Sequence, residues 1–369
     1  MTTCPTCQAA VEESEEYCEA CGAELSPTVT TTEPMTDPPL AEQATGTLPM
    51  DADLAGTAPV CPACGGQVAD DGYCGTCGAR APKRRDHFSE QPATWVAAVC
   101  DRGLRHTRNE DAVAVAADAE AGSRAVLVVC DGVSSSVDSD LASLAAARAA
   151  RDVLVTSRPR GMGTGLSQVA AMIARLGAAA DAASEAVLEV TRDAKSIAAL
   201  DGAAGNPPAV PSPASCTFVA AVVDHDLLVV GSVGDSRAYW IPDGGTAIAL
   251  TLDDSFAQLQ IAAGVPRSEA ESGPQSHAIT RWLGADAPGH KPATATMTLS
   301  EPGWLLVCSD GLWNYCSAAQ DLADLVRQTI STSPAAAEPL GLAEALVSWA
   351  KAQGGQDNIS AALARIQPG

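Results

Sequence analysis

Residues 125–132 read AVLVVCDG, a run of six apolar residues that ends in Asp131-Gly132. Short apolar runs bounded by turn residues are typical of buried strands. The same arrangement recurs twice further along the chain, in LLVC followed by Ser309-Asp310-Gly311 and in LLVVGSV followed by Gly234-Asp235. Each of these apolar strands runs into an aspartate, so we expect several carboxylates at the ends of neighbouring strands.

Two more acidic positions stand before strands: Glu110-Asp111 precedes AVAVAA, and Asp357-Asn358 precedes ISAALARI. A single Asp-Gly or Asp-Asn pair usually marks only a turn. Acidic groups at five strand ends would repel one another strongly, unless cations bind between them. Mg²⁺ or Mn²⁺ is the expected occupant, because both prefer oxygen ligands and water. Paired ions of this kind activate water for attack on a phosphoryl group.

The predicted strands and helices come in blocks rather than in strict alternation. The spacing predicts strands over 112–117, 125–130, 217–223, 227–233, 305–308 and 359–366, and helices over 138–156, 166–197, 319–330 and 340–352. The Gly/Pro-rich segment 201–214 is predicted to be a loop. This order favours an α/β (α+β) sandwich, in which two antiparallel sheets are flanked by helices.

Eight of the 13 cysteines fall into two frames, Cys4, Cys7, Cys18 and Cys21, and then Cys61, Cys64, Cys74 and Cys77. Four thiolates in two Cys-x2-Cys knuckles form the closed site that structural zinc prefers, and so short a module depends on its metal to fold. Disulfides or free cysteines are the alternatives, and iron is the competing metal. We expect two structural Zn²⁺ ions, one in each ribbon.

The composition of the chain limits which partners it can bind and which cellular compartment it fits. The chain has 369 residues and a net charge of −23, and residues 1–79 hold 13 acidic side chains without Lys or Arg. Such a surface repels phosphate backbones, so we expect no nucleic acid. Neither a secretory signal nor an apolar run of about 18–20 residues is visible, so we expect no membrane. Thiols spaced for metal indicate a reducing cytoplasm.

Shifts in composition predict the domain boundaries. We expect a zinc ribbon over 1–25, a flexible Thr/Pro-rich linker over 26–60, a second ribbon over 61–80, a short linker over 81–94 and a globular domain over 95–367. The ribbons contribute no acid–base chemistry of their own. A protein partner, for which they serve as a targeting module, is their expected role.

Six motifs in the globular domain resemble, in the same order, the metal-dependent serine/threonine protein phosphatases of the type 2C class. They are DRGLRHTRNEDA (101–112), VVCDG (128–132), GDSRAYW (234–240), ITRWLG (279–284), VCSDGLW (307–313) and GGQDNIS (354–360). The resemblance implies the sandwich named above, with the metal centre at one end. It also implies hydrolysis of phosphoserine and phosphothreonine on proteins.

The resemblance assigns roles position by position. Asp131 bridges two metals and Gly132 offers its carbonyl. Asp310 and Asp357 are the further ligands of one metal. Glu110, with Asp111 nearby, helps to hold the other metal. Asp235 corresponds to the ligand of a weaker third metal, shared with Asp310. The catalytic set is therefore Glu110, Asp131, Asp310 and Asp357.

The chain departs from the family pattern at the phosphate site and after the first Asp-Gly. His106 stands where the family has a phosphate-binding arginine, with Arg105 and Arg108 beside it. We expect His106 and Arg108 to share the phosphate, since residues two apart in an extended segment face the same side. Residues 133–136 (VSSS) replace the usual glycines. Residues 251–280 correspond to the variable flap beside the active site.

Two functions other than catalysis fit the same sequence. One is a scaffold that binds phosphoproteins on this fold without turnover, which loss of the metal carboxylates would signal; all of them are present. The other is a scaffold that works mainly through its ribbons. An active phosphatase acting on phosphorylated proteins is the preferred interpretation.

Overall fold

The computed structural model describes residues 2–3, 10–11, 60–61, 64–69, 72–156, 165–200, 212–273 and 275–367, with the backbone alone for 2–3, 10–11 and 194–200. The chain divides into two compact units, Met1–Pro59 and Val60–Gly369. In the first unit, β1 (Thr2–Thr3) pairs antiparallel with β2 (Ala10–Val11). The first cysteine frame and the segment expected as a linker, except Val60, lie outside the described residues.

Two large antiparallel sheets form the body of the second unit. Its strands are β3 (His87–Ala93), β4 (Val96–Asp101), β5 (Asp111–Ala117), β6 (Arg124–Asp131), β7 (Ser215–Cys216), β8 (Phe218–Asp224), β9 (Leu227–Val233), β10 (Arg237–Pro242), β11 (Ile248–Ala249), β12 (Leu283–Gly284), β13 (Ala293–Thr298), β14 (Gly303–Cys308) and β15 (Ile359–Ile366). One sheet has the order β11-β10-β14-β15-β4-β3 and the other β13-β9-β8-β6-β5, while β7 and β12 form a small pair.

Helices cover the outer faces of both sheets. They are α1 (Ser139–Val155), α2 (Gly165–Leu200), α3 (Phe256–Ala262), α4 (Arg267–Ala270), α5 (Asp310–Trp313), α6 (Ala319–Thr332) and α7 (Pro339–Gln353), with 3-10 turns at Arg84–Asp86 and Pro334–Ala337. Helices α1 and α2 share a core with the five-stranded sheet, and α6 and α7 with the six-stranded sheet. None of the described helices has the length and apolar content that a bilayer crossing requires.

Strand β14 shows how the sequence builds these layers. Successive side chains of a strand point to opposite faces. Leu305 belongs to the core between the two sheets, together with Leu127 of β6, whereas Leu306 belongs to the core under the helices, together with Leu346 of α7. Both faces of the strand are buried, so its sequence is continuously apolar rather than alternating.

The sandwich of two antiparallel sheets between helices is confirmed, and each strand and helix predicted above appears near its expected bounds. Strands β10 and β13 were not predicted as strands. Strand β10 begins with the charged Arg237 and ends with Pro242, and β13 reads ATATMT, in which the exposed positions are Ala and Thr.

The segment 81–94, expected to be a linker, is instead largely part of the domain. Strand β3 pairs with β4, with His87 opposite Asp101 and Phe88 opposite Cys100, and Phe88 packs against the core between the sheets. The strand lies at the sheet edge, contains Pro92 and has a break in register between Glu90 and Ala93. Polar residues and proline are tolerated in a strand at the edge of a sheet, and because of them the sequence of β3 has no apolar strand pattern.

The core between the sheets makes one prediction about stability. Replacing the fully buried Leu305 with Ala removes packing from both sheets and is expected to cost about 2–5 kcal/mol of unfolding free energy. Leu252→Ala, at a leucine that is 65% exposed, serves as the control and should cost little. Urea unfolding measures both variants, and equal midpoints would contradict this description of the core.

Candidate metal centre

The carboxylates of β5 and β6 meet at one end of the five-stranded sheet. Asp111 begins β5 and lies directly opposite Asp131, which ends β6. Side chains directly opposite each other on antiparallel strands are neighbours on one face. The backbone of Asp131 is held by Thr217, whose hydroxyl accepts from the Asp131 amide at 3.0 Å and whose amide donates to the Asp131 carbonyl at 2.7 Å.

The six-stranded sheet contributes to the same place. Ser309 follows β14 and Ser360 lies in β15, and their hydroxyls donate to Asp111 Oδ2 at 2.6 and 2.8 Å. These two hydrogen bonds join the sheets at this end. Asp310, next to Ser309, and Asp357, just before β15, are thereby brought near the carboxylates of the other sheet.

Glu110 is held by its backbone and its side chain. Its amide donates to Asn358 Oδ1 at 2.7 Å, and its carboxylate accepts from the Ser139 hydroxyl at 2.5 Å and from Arg108 Nε at 2.8 Å. Burial raises the pKa of Glu110, but the hydrogen bonds from Ser139 and Arg108 outweigh it, and the net pKa lies below the usual value. Glu110 is therefore ionised at neutral pH.

The aspartates show the opposite effect. Burial, reinforced by Asp357, raises the pKa of Asp310 to about 6. The pKa of Asp111 is raised to about 7, mainly by burial, against the hydrogen bond from Ser309. Desolvation and the neighbouring carboxylates of Asp111 and Asp310 raise the pKa of Asp131 well above the usual range, and burial together with Asp310 does the same for Asp235. Such carboxylates destabilise one another unless cations bind between them.

Two oxygen atoms show that the set fits divalent cations. Asp111 Oδ1 and Asp310 Oδ1 are buried and have no hydrogen-bond partner among the described residues. A buried carboxylate oxygen without a partner is costly, and a hard cation satisfies it. Among those same residues, no three of these carboxylates bring oxygens mutually within 4.8 Å.

Gly132 has its place in the centre for a steric reason. Its amide donates to the Glu110 carbonyl at 3.0 Å, and a Cβ on Gly132 would lie 2.6 Å from that carbonyl oxygen and 2.7 Å from the Ser139 carbonyl oxygen. No side chain fits there. Glycine at this position allows the backbone after β6 to pass between Glu110 and the start of α1.

Asp235 lies just before β10 and is almost completely buried. Its carbonyl accepts from the Trp313 indole at 2.9 Å. Two residues on, Arg237 forms a buried ion pair with Asp253 at 2.6 Å and stacks 3.5 Å above the Trp313 ring. This ion pair attaches the start of the predicted flap to the first residue of β10, two residues after Asp235.

The three candidate phosphate-binding residues have different surroundings. His106 lies between two carboxylates, with Nδ1 3.7 Å from Glu110 and Nε2 3.2 Å from Asp357. Arg108 is engaged by Glu110 and Ser139 and is 3.5 Å from Asp140. Arg105 is exposed. His106 and Arg108 thus both contact Glu110, whereas Arg105 stands apart from the carboxylates.

A cavity of about 500 Å³ opens beside the aspartates. Its lining includes Asp310 and Asp357, residues of the segment expected as a flap, such as Gln258 of α3 and His277, and also Arg237 and Trp313. The cavity is large enough for a phosphorylated side chain.

The second cysteine frame forms a compact site of its own. The sulfur atoms of Cys61, Cys64, Cys74 and Cys77 lie within 4.8 Å of one another, with Cys61 3.7 Å from Cys77 and Cys64 3.5 Å from Cys74. Sulfurs about 2.3 Å from a central zinc ion lie about 3.8 Å apart in a tetrahedron. All four are free thiols rather than disulfides.

Backbone amides favour thiolate at this site. Hydrogen bonds from the amides of Cys77 and Thr76 lower the pKa of Cys74 to about 6. The Gly66 amide acts in the same direction on Cys64, but without a metal the neighbouring sulfurs of Cys77 and Cys74 outweigh it and raise the pKa of Cys64 to about 12. The amide of Gly65 donates to the Cys61 carbonyl and that of Gly78 to the Cys74 carbonyl, both at 2.8 Å. With φ near +70°, both glycines turn the chain back in each knuckle. The residues present therefore fit zinc.

Sequence reasoning found the acidic residues but missed the hydroxyls that hold them. Ser139, Thr217, Ser309 and Ser360 all contact the acidic residues. Each stands in or beside a buried element, where a hydroxyl needs a hydrogen-bond partner. A serine or threonine next to an apolar strand end was the available signal, but its partner lies on another strand or helix.

Comparison with known proteins agrees with this geometry. Residues 103–349, well over half of the chain, match the family model described as protein phosphatase 2C. The chain belongs to the protein phosphatase 2C family. Residues 4–78 match the model of the double zinc ribbon. The family resemblance and the doubled ribbon predicted from the sequence are both confirmed.

Individual relatives of this protein phosphatase 2C member are distant. A serine/threonine phosphatase (stp) of Listeria welshimeri is 28% identical over 148 residues, which cover 40% of this chain and 55% of the relative. The alignment thus spans about half the length of that curated relative.

Solved structures share the fold over a longer range. The serine/threonine phosphatase PstP/Ppp of Mycobacterium tuberculosis is 25% identical, with a TM-score of 0.53, covering 74% of this chain and 98% of that one. A structure of the PstP catalytic domain in complex with two manganese ions is 23% identical, with a TM-score of 0.51 and the same coverage.

The raised aspartate pKa values predict a pH-dependent stability once divalent ions are removed. An Asp111 carboxyl that ionises at about 7 when folded and at 3.8 when unfolded binds more protons in the folded state between these values. Stability therefore falls as pH rises through this window. Asp111→Asn cannot ionise, so its thermal midpoint should rise relative to wild type from about pH 5 to about pH 8. Parallel profiles of the two proteins would refute the assignment.

The cysteine frames predict a metal content. About two zinc ions should copurify with each chain and resist mild chelation that removes the carboxylate-bound ions. Cys77→Ser should lose about one of them, whereas Cys316→Ser, at a half-buried cysteine outside the ribbons, should lose none. Elemental analysis of the purified proteins gives the answer, and wild-type protein without zinc would sink this assignment.

Proposed function

We propose that this protein is a metal-dependent phosphatase that hydrolyses phosphoserine and phosphothreonine on proteins. The observation that carries the proposal is the convergence of acidic side chains from both sheets, where two buried carboxylate oxygens, of Asp111 and Asp310, have no partner among the described residues. Asp310 also lines the neighbouring cavity. Membership of the protein phosphatase 2C family supports it, as does a curated relative named as a serine/threonine phosphatase.

The carboxylates would hold two ions. In this proposal Asp131 bridges them and Gly132 offers its carbonyl, Asp310 and Asp357 hold one ion, and Glu110 and Asp111 support the other. Asp235 joins Asp310 at a weaker third site. Mg²⁺ and Mn²⁺ both suit oxygen ligands. When bound, such ions lower the pKa of water and neutralise charge on the phosphoryl group.

The chain's own side chains orient the substrate. His106 and Arg108 lie next to Glu110, so a phosphate beside the ions would come within reach of both. Arg108 keeps its permanent charge, because the hydrogen bond and charge of Glu110 outweigh its desolvation and raise its pKa. Arg105, exposed one residue before His106, is the alternative phosphate contact. The flap beside the cavity would contact the rest of the substrate.

In this proposal the remaining parts of the chain determine where the enzyme acts and take no part in the hydrolysis itself. The ribbons over 1–25 and 61–80, joined through 26–60, would bind a protein partner, since their acidic surface disfavours nucleic acid. The second ribbon, the 81–94 segment and the domain from residue 95 belong to one compact unit. Reduced thiols throughout the described residues fit the cytoplasm.

The proposal makes its sharpest prediction at Asp131. Changing Asp131 to Asn removes one charge and one bridging oxygen from the centre, so turnover of a phosphothreonine peptide in the presence of Mn²⁺ should fall by about two orders of magnitude or more. Asp226→Asn, the same change in the exposed turn between β8 and β9, should leave turnover unchanged.

The measurement is steady-state release of phosphate by each protein, with and without Mn²⁺. Circular dichroism and unfolding midpoints check that Asp131→Asn keeps its fold. Wild-type protein that binds the phosphopeptide but releases no phosphate would identify a non-catalytic binder instead. Normal turnover in Asp131→Asn would contradict the two-metal assignment.

A further inference from the structure

The second zinc ribbon touches the segment that carries the candidate phosphate-binding residues. Arg80, in the last strand-like position of the ribbon, donates from its guanidinium to the carbonyl of Thr107 at 2.8 Å. Thr107 lies between His106 and Arg108 in the connection from β4 to β5, which we call the 102–109 loop. The contact reaches the backbone of this loop rather than a side chain.

The ribbon holds Arg80 through its own hydrogen bonds. Arg80 pairs with Tyr73 in an antiparallel bridge, and the next residue, Ala81, donates to the Gly72 carbonyl at 2.8 Å. Cys74, next to Tyr73, donates from its amide to the Ala79 carbonyl at 2.8 Å. The segment that positions Arg80 is therefore the same segment that carries the metal-binding thiols of Cys74 and Cys77.

Other contacts fix the two ends of the 102–109 loop. Near its start, the amide of Leu104 donates to the Gly355 carbonyl at 2.8 Å. Asn358 Nδ2 donates to the carbonyls of Arg102 at 2.8 Å and Arg108 at 3.1 Å. These partners precede β15 in the phosphatase domain. Arg80 adds a contact from the ribbon at Thr107, one residue from each candidate phosphate ligand.

We propose that the second ribbon positions the 102–109 loop, with Arg80 as the positioning residue, so that an intact ribbon strengthens substrate binding at the neighbouring site. The inference rests on the proposed function. It gives the ribbon a role in the affinity for phosphate, in addition to partner binding. The acceptor is a backbone carbonyl, so the effect is geometric, and the acidic metal ligands keep their own contacts with Asn358, Ser139, Ser309 and Ser360.

Arg80→Ala in the full chain is the direct test. The loss of one charge-assisted hydrogen bond should raise KM for a phosphothreonine peptide, and the inhibition constant of inorganic phosphate, by about three- to tenfold, while kcat changes by less than about twofold. Arg84→Ala is the matched control, because Arg84 is exposed, lies four residues away and carries the same charge. Arg80→Lys should restore part of the affinity.

A second readout does not depend on turnover. Hydrogen exchange of amides in the 102–109 loop should be faster in Arg80→Ala than in wild type or Arg84→Ala, at unchanged zinc content. Cys77→Ser, which removes a ribbon ligand, should give the same KM and exchange effects. The double variant Arg80→Ala/Cys77→Ser should then be no worse than either single variant, because both remove one contact.

The outcomes separate the two proposals. Unchanged KM, phosphate inhibition and loop exchange in Arg80→Ala would overturn the positioning role, even if the wild type is an active phosphatase. If the effects of the two substitutions on KM and loop exchange add up in the double variant, the ribbon does not act on the loop through Arg80. If the wild type shows no turnover, the proposed function fails, and loop exchange alone then decides whether the ribbon positions the loop.

Discussion

The structure depends on one electrostatic constraint, the convergence of buried carboxylates where the two sheets meet. Asp111 contributes most to joining them, because it belongs to one sheet and accepts hydrogen bonds from Ser309 and Ser360 of the other. Desolvation and mutual repulsion raise the pKa values of the aspartates around it. A fold that brings such groups together stores unfavourable energy, which bound cations remove.

The rest of the sandwich makes this convergence possible. Apolar strands with both faces buried form the inter-sheet core and the two cores under the helices, and they supply the stability that offsets the strained end. The aspartates stand at the ends of these strands or within two residues of them. The candidate metal centre therefore lies at the end of the sandwich, where the regular hydrogen bonding of the sheets stops.

The second ribbon is connected to the sandwich through the edge strand β3. Strand β3 follows directly from the 3-10 turn after the ribbon and adds to the edge of the six-stranded sheet. The chain between ribbon and sheet is therefore short and ordered rather than a tether. The hydrogen bond from Arg80 to the Thr107 carbonyl is a second connection between this ribbon and the phosphatase domain.

Much of the fold and the identity of the acidic residues follow from local patterns. An apolar run ending in aspartate is visible in the chain because burial and turn formation act over a few residues, and the four-cysteine spacing is equally local. Edge strand β3 escaped prediction because edge positions tolerate the polar residues and proline of a linker.

The partners of those residues depended on contacts between segments far apart in the chain. Ser360 meets Asp111 across 249 positions, and Asn358 meets Glu110 across 248. The sequence predicts that Arg108 shares the phosphate with His106, and only the fold shows that the Arg108 side chain also contacts Glu110 and Ser139. Composition and spacing identify which groups can bind a cation or a phosphate. The packing of the two sheets decides which carboxylate oxygens accept a hydrogen bond and which remain without a partner. The reason is that a hydrogen bond depends on the distance between two groups, which their residue types do not determine.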